Sequence, residues 1–131
     1  MSKTTTPKTA KSLSAFLARI ADGKLAKYIT VMELENLEGA SVDFFVICTC
    51  ESEPQLKAVT DAVEKGCIEV GLKRPRVEGY GVSQWVLLDF FDVVMHLMMP
   101  EPRNFYKLEK LWSDAVFYNL SEKGRLVKSK I

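Results

Sequence analysis

The stretch Trp85–Trp112 reads WVLLDFFDVVMHLMMPEPRNFYKLEKLW, and its first half predicts a β-hairpin in which two apolar runs flank a tight turn. We expect Phe90 and Phe91 to be the two loop residues. Asp89 then lies opposite Asp92, and Trp85 lies opposite the only histidine of the chain, His96. Because opposite residues on paired strands share a face, the turn decides which side chains meet.

This pairing sorts the hairpin side chains into two sets. The first face is wholly apolar and is expected to receive helices; it carries Val86, Leu88, Val93, Met95 and Leu97. The second face combines aromatic, acidic and imidazole groups; it carries Trp85, Leu87, Asp89, Asp92, Val94 and His96. Such a mixed surface is typical of a site where a partner protein binds.

A metal site or a proton-transfer site is the alternative interpretation of two carboxylates beside an imidazole. The spacing argues against it, because four strand residues at about 3.3 Å each place His96 roughly 13 Å from Asp92. A lone strand histidine is more often a satisfied or surface group than a ligand. An aspartate at the start of a turn, such as Asp89, commonly bonds its own backbone. We therefore predict no catalytic residue, metal or cofactor.

The rest of the chain predicts an α/β fold, in which helices pack against a mixed β-sheet. Helical spacing is found over residues 13–26, with Ser12 or Ser14 as the N-cap, and from Pro54 to Gly71. SVDFFVICTC at Ser41–Cys50 predicts a central strand that is buried on both faces. The remaining expected elements are a strand with one wet face over 27–37, a short strand at 76–78, and a third helix from Pro102 that carries Phe105, Leu108, Leu111 and Trp112.

Charge and cysteine content narrow the class of protein. The 131 residues include 18 basic and 17 acidic side chains, so no global attraction to nucleic acid or membrane is expected. We expect one domain at 13–118 between flexible basic tails at 1–12 and 119–131, which could touch RNA phosphate only peripherally. Three cysteines form no paired framework, Cys48 and Cys50 are interpreted as core thiols, and no apolar run has signal or membrane length. A bacterial cytoplasm is expected.

Three segments resemble the ribosomal silencing factor S, or Iojap-like, family: DFFVICTCESEPQ, RVEGY and WVLLDFFDVVMHLMMPEPRNFYKLEKLWSDA. The third, Trp85–Ala115, is the most specific, with a Trp, two Asp across a tight turn, a His, and then Phe-Tyr-x-Leu-Glu-x-Leu-Trp. The likeness covers residues 13–115. The chain departs from the family at Phe91, where Gly is usual, and at CESE, residues 50–53, where a Ser-Gly-Asn-Ser-like turn is usual.

The resemblance implies a nucleotidyltransferase-like topology without the activity of that fold, and the Gly-Ser of its catalytic motif is absent from the sequence. It also implies binding to the large ribosomal subunit at ribosomal protein fourteen. The bound protein would block joining of the small subunit and repress translation under nutrient limitation.

On this interpretation Trp85 and Tyr106 would be aromatic anchors, and the acidic groups would face basic side chains of the partner. For Glu109, a solvated helix face is the alternative. The expected partner-binding residues are Trp85, Asp89, Asp92, His96, Tyr106 and Glu109. Two other classes stay open, a nucleotide-handling enzyme and a self-associating scaffold, and a homodimer is also expected because the second face would be sticky without a ribosome.

Overall fold

A seven-stranded mixed β-sheet organises the protein in a computed structural model that describes residues 5–81 and 84–129. In chain order the elements are α1 (Ala10–Gly23), β1 (Lys27–Glu33), β2 (Phe44–Thr49), α2 (Glu53–Glu69), β3 (Arg76–Glu78), β4 (Trp85–Asp89), β5 (Val93–Met98), α3 (Pro100–Tyr106), α4 (Leu108–Leu111), β6 (Val116–Leu120) and β7 (Leu126–Lys128). The strand order is β3-β4-β5-β2-β1-β6-β7, and β2 is parallel to β5. The predicted fold class, a mixed sheet with packed helices, is confirmed.

The middle of the sheet is β2, as predicted from its composition. Only Phe45 of its six residues is not fully buried. A strand covered on both faces must be apolar on both, which FFVICT satisfies. Its parallel partner β5 follows a long crossover through α2, β3 and β4, so the two strands end at the same edge of the sheet.

Helices α1 and α2 cover one face of the sheet and enclose the main core. Their buried apolar side chains pack on the first face of the hairpin, Val86, Leu88, Val93, Met95 and Leu97, so the predicted helix-facing set is confirmed. No helix within residues 5–81 and 84–129 combines the length and the apolar character needed to cross a membrane.

Both long helices begin at a side chain that caps free backbone amides. Thr9 Oγ1 accepts the N–H of Ser12, and Ser12 Oγ accepts the N–H of Thr9, each at 3.0 Å. This capping box starts α1 at Ala10, so the predicted start at residue 13 with a serine N-cap is wrong. Ser52 caps α2, and Pro54 occupies its first turn; the place of Pro54 is as predicted, whereas the cap at Ser52 was not anticipated.

The C-terminal residues are strands of the sheet, and the expected flexible tail from residue 119 is wrong as far as residue 129. β6 pairs with β1, and β7 pairs with β6. The segment is amphipathic: Tyr118, Leu120 and Leu126 pack on the core, while its basic side chains are exposed. The Arg19 guanidinium donates to the carbonyl of Gly124 at 3.0 Å and ties the turn to α1. The basic residues alone suggested a solvated tail.

The opposite face of the sheet carries a smaller second core, formed by Met32, Leu34, Ile47 and Met98. Val31 and Met32 point to opposite faces of β1, and both are buried. The wet face predicted for this strand is therefore wrong at its centre, because both faces of the sheet are covered there. Leu34 follows the end of β1 and is buried in the second core.

Candidate protein-binding site

The hairpin turns one residue later than predicted. The Phe90 N–H donates to the Val93 carbonyl at 2.8 Å, which leaves Phe91 and Asp92 as the loop residues. The register is Trp85↔Met98, Val86↔Leu97, Leu87↔His96, Leu88↔Met95 and Asp89↔Val94. The predicted pairs are therefore wrong by two residues along β5. Because side chains alternate with period two, this shift keeps the same residues on each face.

The geometry of the turn accounts for the positions of Asp89 and Asp92. Asp89 Oδ1 accepts the N–H of Phe91 at 2.8 Å, the local turn bond weighed as the alternative role of Asp89. Phe91 has φ 76°, the left-handed conformation that glycine adopts most easily, and its side chain is 87% exposed. Asp92 lies in the loop with its side chain exposed, so it does not face Asp89 across the strands as predicted.

The second face of the hairpin is covered at its centre, and the prediction of an open surface there is wrong. Val94, His96 and Met98 are buried, and His96 is only 5% exposed. The side chains that pack over this region come from the connection between β1 and β2, from β2 and from the α4 region; they include Val42, Phe45 and Trp112. These apolar side chains stabilise the fold more when they are buried than when they face water.

His96 lies beneath Trp85, diagonally across the two strands. The Trp85 Nε1–H donates to His96 Nδ1 at 3.1 Å, and the Phe45 ring stands edge-to-face to the imidazole at 4.6 Å. Burial, and secondarily the charge of Arg103, lowers the pKa of His96 to about 4, so the ring is neutral at pH 7. Since Nδ1 accepts, the proton is on Nε2, which is buried and has no hydrogen-bond partner among residues 5–81 and 84–129.

A row of aromatic rings runs outward from this histidine. The Trp85 and Tyr106 ring centroids are 4.9 Å apart, and Tyr106 and Phe105 are also 4.9 Å apart. Phe105 is 76% exposed and Tyr106 53% exposed, so Phe105 does not share the packed side of Leu108 and Trp112, with which the predicted third helix grouped it. The row borders a groove of about 360 Å³ that Gln84, Glu101 and Pro102 also line. We call Trp85, Tyr106 and Phe105 the aromatic row.

The predicted third helix is broken into two. α3 begins at Pro100, two residues before the predicted start, and ends at Tyr106. Lys107 follows with φ 47°, a left-handed conformation that interrupts the helix before α4. The break turns α4 away from the α3 axis, which is why Phe105 and Leu111 are exposed although helical spacing groups them with Leu108 and Trp112.

Glu109 is bound within the chain by a largely buried arginine. Arg103 donates from Nη2 and Nε to Glu109 Oε2, at 2.7 and 3.2 Å. The same guanidinium donates to the Thr49 hydroxyl at 3.1 Å and to the Tyr28 carbonyl at 3.0 Å. Glu109 is thus paired within the chain through Oε2, while its side chain remains 33% exposed. Arg103 thus links the junction of α3 and α4 to the end of β2.

A cavity of about 570 Å³ opens at this edge, where the parallel strands β2 and β5 end; it is lined by Tyr28, Thr49, Glu51, Pro100, Arg103, Asn104 and Glu109. Small ligands of α/β proteins commonly bind at such an edge. Within residues 5–81 and 84–129, His, Cys, Asp and Glu side chains form no cluster of three that could hold a metal ion. Cys48 and Cys50 are buried thiols.

The family model described as "Ribosomal silencing factor during starvation" matches residues 7–130. The chain belongs to the ribosomal silencing factor family. The matched range is longer than residues 13–115, the range over which the sequence resembles the family. It also includes the start of α1 and the hairpin of β6 and β7. Both ends therefore belong to the family domain.

Individual relatives agree with this assignment. A "Ribosomal silencing factor RsfS" from Halalkalibacterium halodurans is 41% identical over 96 residues, which are 72% of this chain and 80% of the relative. A "Protein Iojap, chloroplastic" from Arabidopsis thaliana is 39% identical over 106 residues, 76% of this chain and 41% of that protein. A crystal structure of a Chromobacterium violaceum protein, 27% identical, superposes with a TM-score of 0.75 over 81% of this chain and 88% of its own.

Proposed function

We propose that this chain is a non-enzymatic regulator of translation in the bacterial cytoplasm. It binds the large ribosomal subunit through ribosomal protein fourteen and sterically blocks joining of the small subunit when nutrients are limiting. Membership of the silencing-factor family supports the ribosomal role. The observation that carries the choice of surface is the aromatic row, which presents large rings to solvent at one end of the hairpin, while the exposed Asp92 lies at the tip, the other end of the same two strands.

The chemistry of this surface suits a protein partner with apolar and basic side chains. Partly exposed Trp and Tyr rings supply large contact areas and are frequent among the residues that dominate binding energy. Asp92 is exposed at the hairpin tip, whereas one oxygen of Asp89 is already used in the turn. We therefore assign the main electrostatic contact to Asp92, with Asp89 shaping the loop that carries it.

Steric occlusion requires only that this protein and the small subunit compete for one surface. Inhibition of subunit joining should then follow the occupancy of the large subunit by this protein. No catalytic group is needed for such an effect; His96 is buried under Trp85, and Glu109 is paired with Arg103.

Co-sedimentation with purified large subunits tests the proposal. Trp85→Ala, Tyr106→Ala and Asp92→Lys should each weaken binding, the aromatic changes by about 2 kcal/mol. Glu69→Lys, an exposed charge reversal on α2 across the sheet, is the matched control for Asp92→Lys and should bind as wild type. Melting temperatures are measured in parallel. A large loss of stability in Trp85→Ala, with normal affinity of the molecules still folded, would refute its role as an anchor.

The other classes give different results in the same preparation. A nucleotide-handling enzyme would be thermally stabilised by a nucleotide in the 570 Å³ cavity. A self-associating scaffold would form a concentration-dependent dimer without affinity for the ribosome. A homodimer that dissociates when large subunits are added would agree with the proposed function, since the aromatic row would then be shared by two competing partners.

A further inference from the structure

We infer that His96 is a positioning residue for partner binding: it accepts a hydrogen bond from the Trp85 indole and fixes that ring in the orientation in which it docks. The inference rests on the proposed function, because it assumes that Trp85 contacts the partner. His96 itself is only 5% exposed and therefore acts through the tryptophan and not by direct contact.

The geometry holds the indole from two sides. On the inner side, Nε1–H bonds to His96 Nδ1 at 3.1 Å; on the outer side, the Tyr106 ring lies 4.9 Å away, centroid to centroid. The imidazole is itself confined by the Phe45 ring at 4.6 Å and by its place on the fully buried strand β5. A side chain confined in this way loses less conformational freedom when a partner binds.

The other ring nitrogen argues against a purely structural role. In the part of the chain that the structure describes, buried His96 Nε2 has no hydrogen-bond partner, and an unpaired buried donor destabilises a fold. An apolar side chain would occupy the same space among Phe45, Trp85 and Met98 without that cost. What histidine adds at this position is the acceptor at Nδ1, and the indole of Trp85 is the group that uses it.

Two kinds of substitution separate the acceptor from the bulk of the ring. His96→Asn keeps an acceptor, because its side-chain oxygen can replace Nδ1. His96→Phe and the smaller His96→Leu fill the space but accept no hydrogen bond. The leucine and phenylalanine side chains differ in size. If one of these two variants packs poorly and does not fold, the other still tests the role of the acceptor. Folded fractions are measured for all variants.

The readouts are indole N–H resonances and affinity for the large subunit. The chain has two tryptophans, Trp85 and Trp112, so Trp85→Phe assigns both indole signals. In His96→Phe and His96→Leu we expect the Trp85 indole signal to move and its hydrogen exchange to accelerate, with about tenfold weaker ribosome binding. His96→Asn should keep the slow exchange and most of the affinity.

The outcomes distinguish the two proposals. If Trp85→Ala binds like wild type, the docking surface is wrong and the role of His96 is overturned with it. If Trp85→Ala weakens binding but His96→Phe and His96→Leu, both folded, bind like wild type, only the positioning role is overturned. Equal losses in His96→Asn and in the apolar variants, with all three folded, would also overturn it, because the acceptor would then make no difference.

Discussion

Arg103 and Glu109 meet across Lys107, the left-handed residue that separates α3 from α4, through two hydrogen bonds of 2.7 and 3.2 Å to one carboxylate oxygen. Backbone hydrogen bonds reach Lys107 from both sides, from its N–H to the Arg103 carbonyl at 3.3 Å and from the Leu111 N–H to its carbonyl at 3.2 Å, and the ion pair adds a side-chain link across the break. The side chain of Arg103 is 11% exposed, so solvent screens the pair less than an ordinary surface salt bridge.

Glu109→Ala should therefore destabilise the protein, because it leaves a largely buried guanidinium without its carboxylate. We expect a loss of about 1–3 kcal/mol in the free energy of unfolding, measured by urea denaturation. Glu101→Ala is the control, since Glu101 is an exposed carboxylate in the first turn of α3. Equal stability of the two variants would show that the junction of α3 and α4 does not depend on the ion pair.

The stability of the protein should fall as the pH drops from 6.5 towards 4, because of His96. Its pKa is lowered from 6.5 to about 4 in the folded protein, first by burial and then by Arg103. Above pH 6.5 the ring is mostly neutral in both the folded and the unfolded state. Between pH 6.5 and 4 the ring is protonated in the unfolded chain but stays neutral in the folded protein, which favours unfolding. At pH 5 the loss relative to pH 7 is about 2 kcal/mol.

Denaturation curves of wild type and His96→Asn at pH 7 and pH 5 measure this effect. His96 is the only histidine, so the carboxylates contribute equally to both proteins and cancel in the comparison. We expect the wild type to lose more stability than the variant over this interval. The same pH dependence in both proteins would mean that His96 is not held neutral by the fold.

Phe91→Gly should stabilise the hairpin turn relative to Phe91→Ala. Phe91 has φ 76°, where a Cβ atom is strained, and its exposed ring contributes little to the core. Removing the strain is expected to add about 0.5–1 kcal/mol to the free energy of unfolding, after the entropy of glycine in the unfolded chain is included. Urea denaturation decides this, and a glycine variant less stable than the alanine variant would contradict the expectation.

The basic turn between β6 and β7 should matter to ribosome binding only at low salt. Neutralising its exposed side chains tests this without removing β7, which a deletion of residues 121–131 would do; the changes are Lys123→Gln, Arg125→Gln and Lys128→Gln. We expect the slope of log affinity against log salt to change by no more than about 2. The control neutralises three exposed lysines on or just after α2, namely Lys57, Lys65 and Lys73. Loss of binding at physiological salt would instead place the main contact here.

Sequence patterns predicted the parts of the fold in which burial follows a simple period. The unbroken apolar run of β2 indicated a central strand, and alternation in the hairpin indicated which face receives α1 and α2. Pro54 marked the start of α2 in the same way. Each of these signals is local, so neighbouring residues in the chain were sufficient to read it.

The missed features depend on contacts between distant residues. The break at Lys107 is stabilised by Arg103 reaching Glu109, Thr49 and the Tyr28 carbonyl, whereas helical spacing continues through residues 105–112. Burial of His96 requires the α4 region to fold over the hairpin, which the alternation of the hairpin does not indicate. The hydrogen bond from Trp85 to His96 follows from a diagonal position that depended on the hairpin register.

The pairing of β1 with β6 has a consequence for the order in which the sheet forms. β1 can pair with β2 as soon as both have left the ribosome, but its other edge stays open until β6 is made, near the end of the chain. Contacts so distant in sequence form slowly, and an open strand edge can pair with another molecule. A nascent or truncated chain that stops before residue 116 is therefore expected to aggregate through β1, whereas the completed chain covers that edge with its own C-terminal strands.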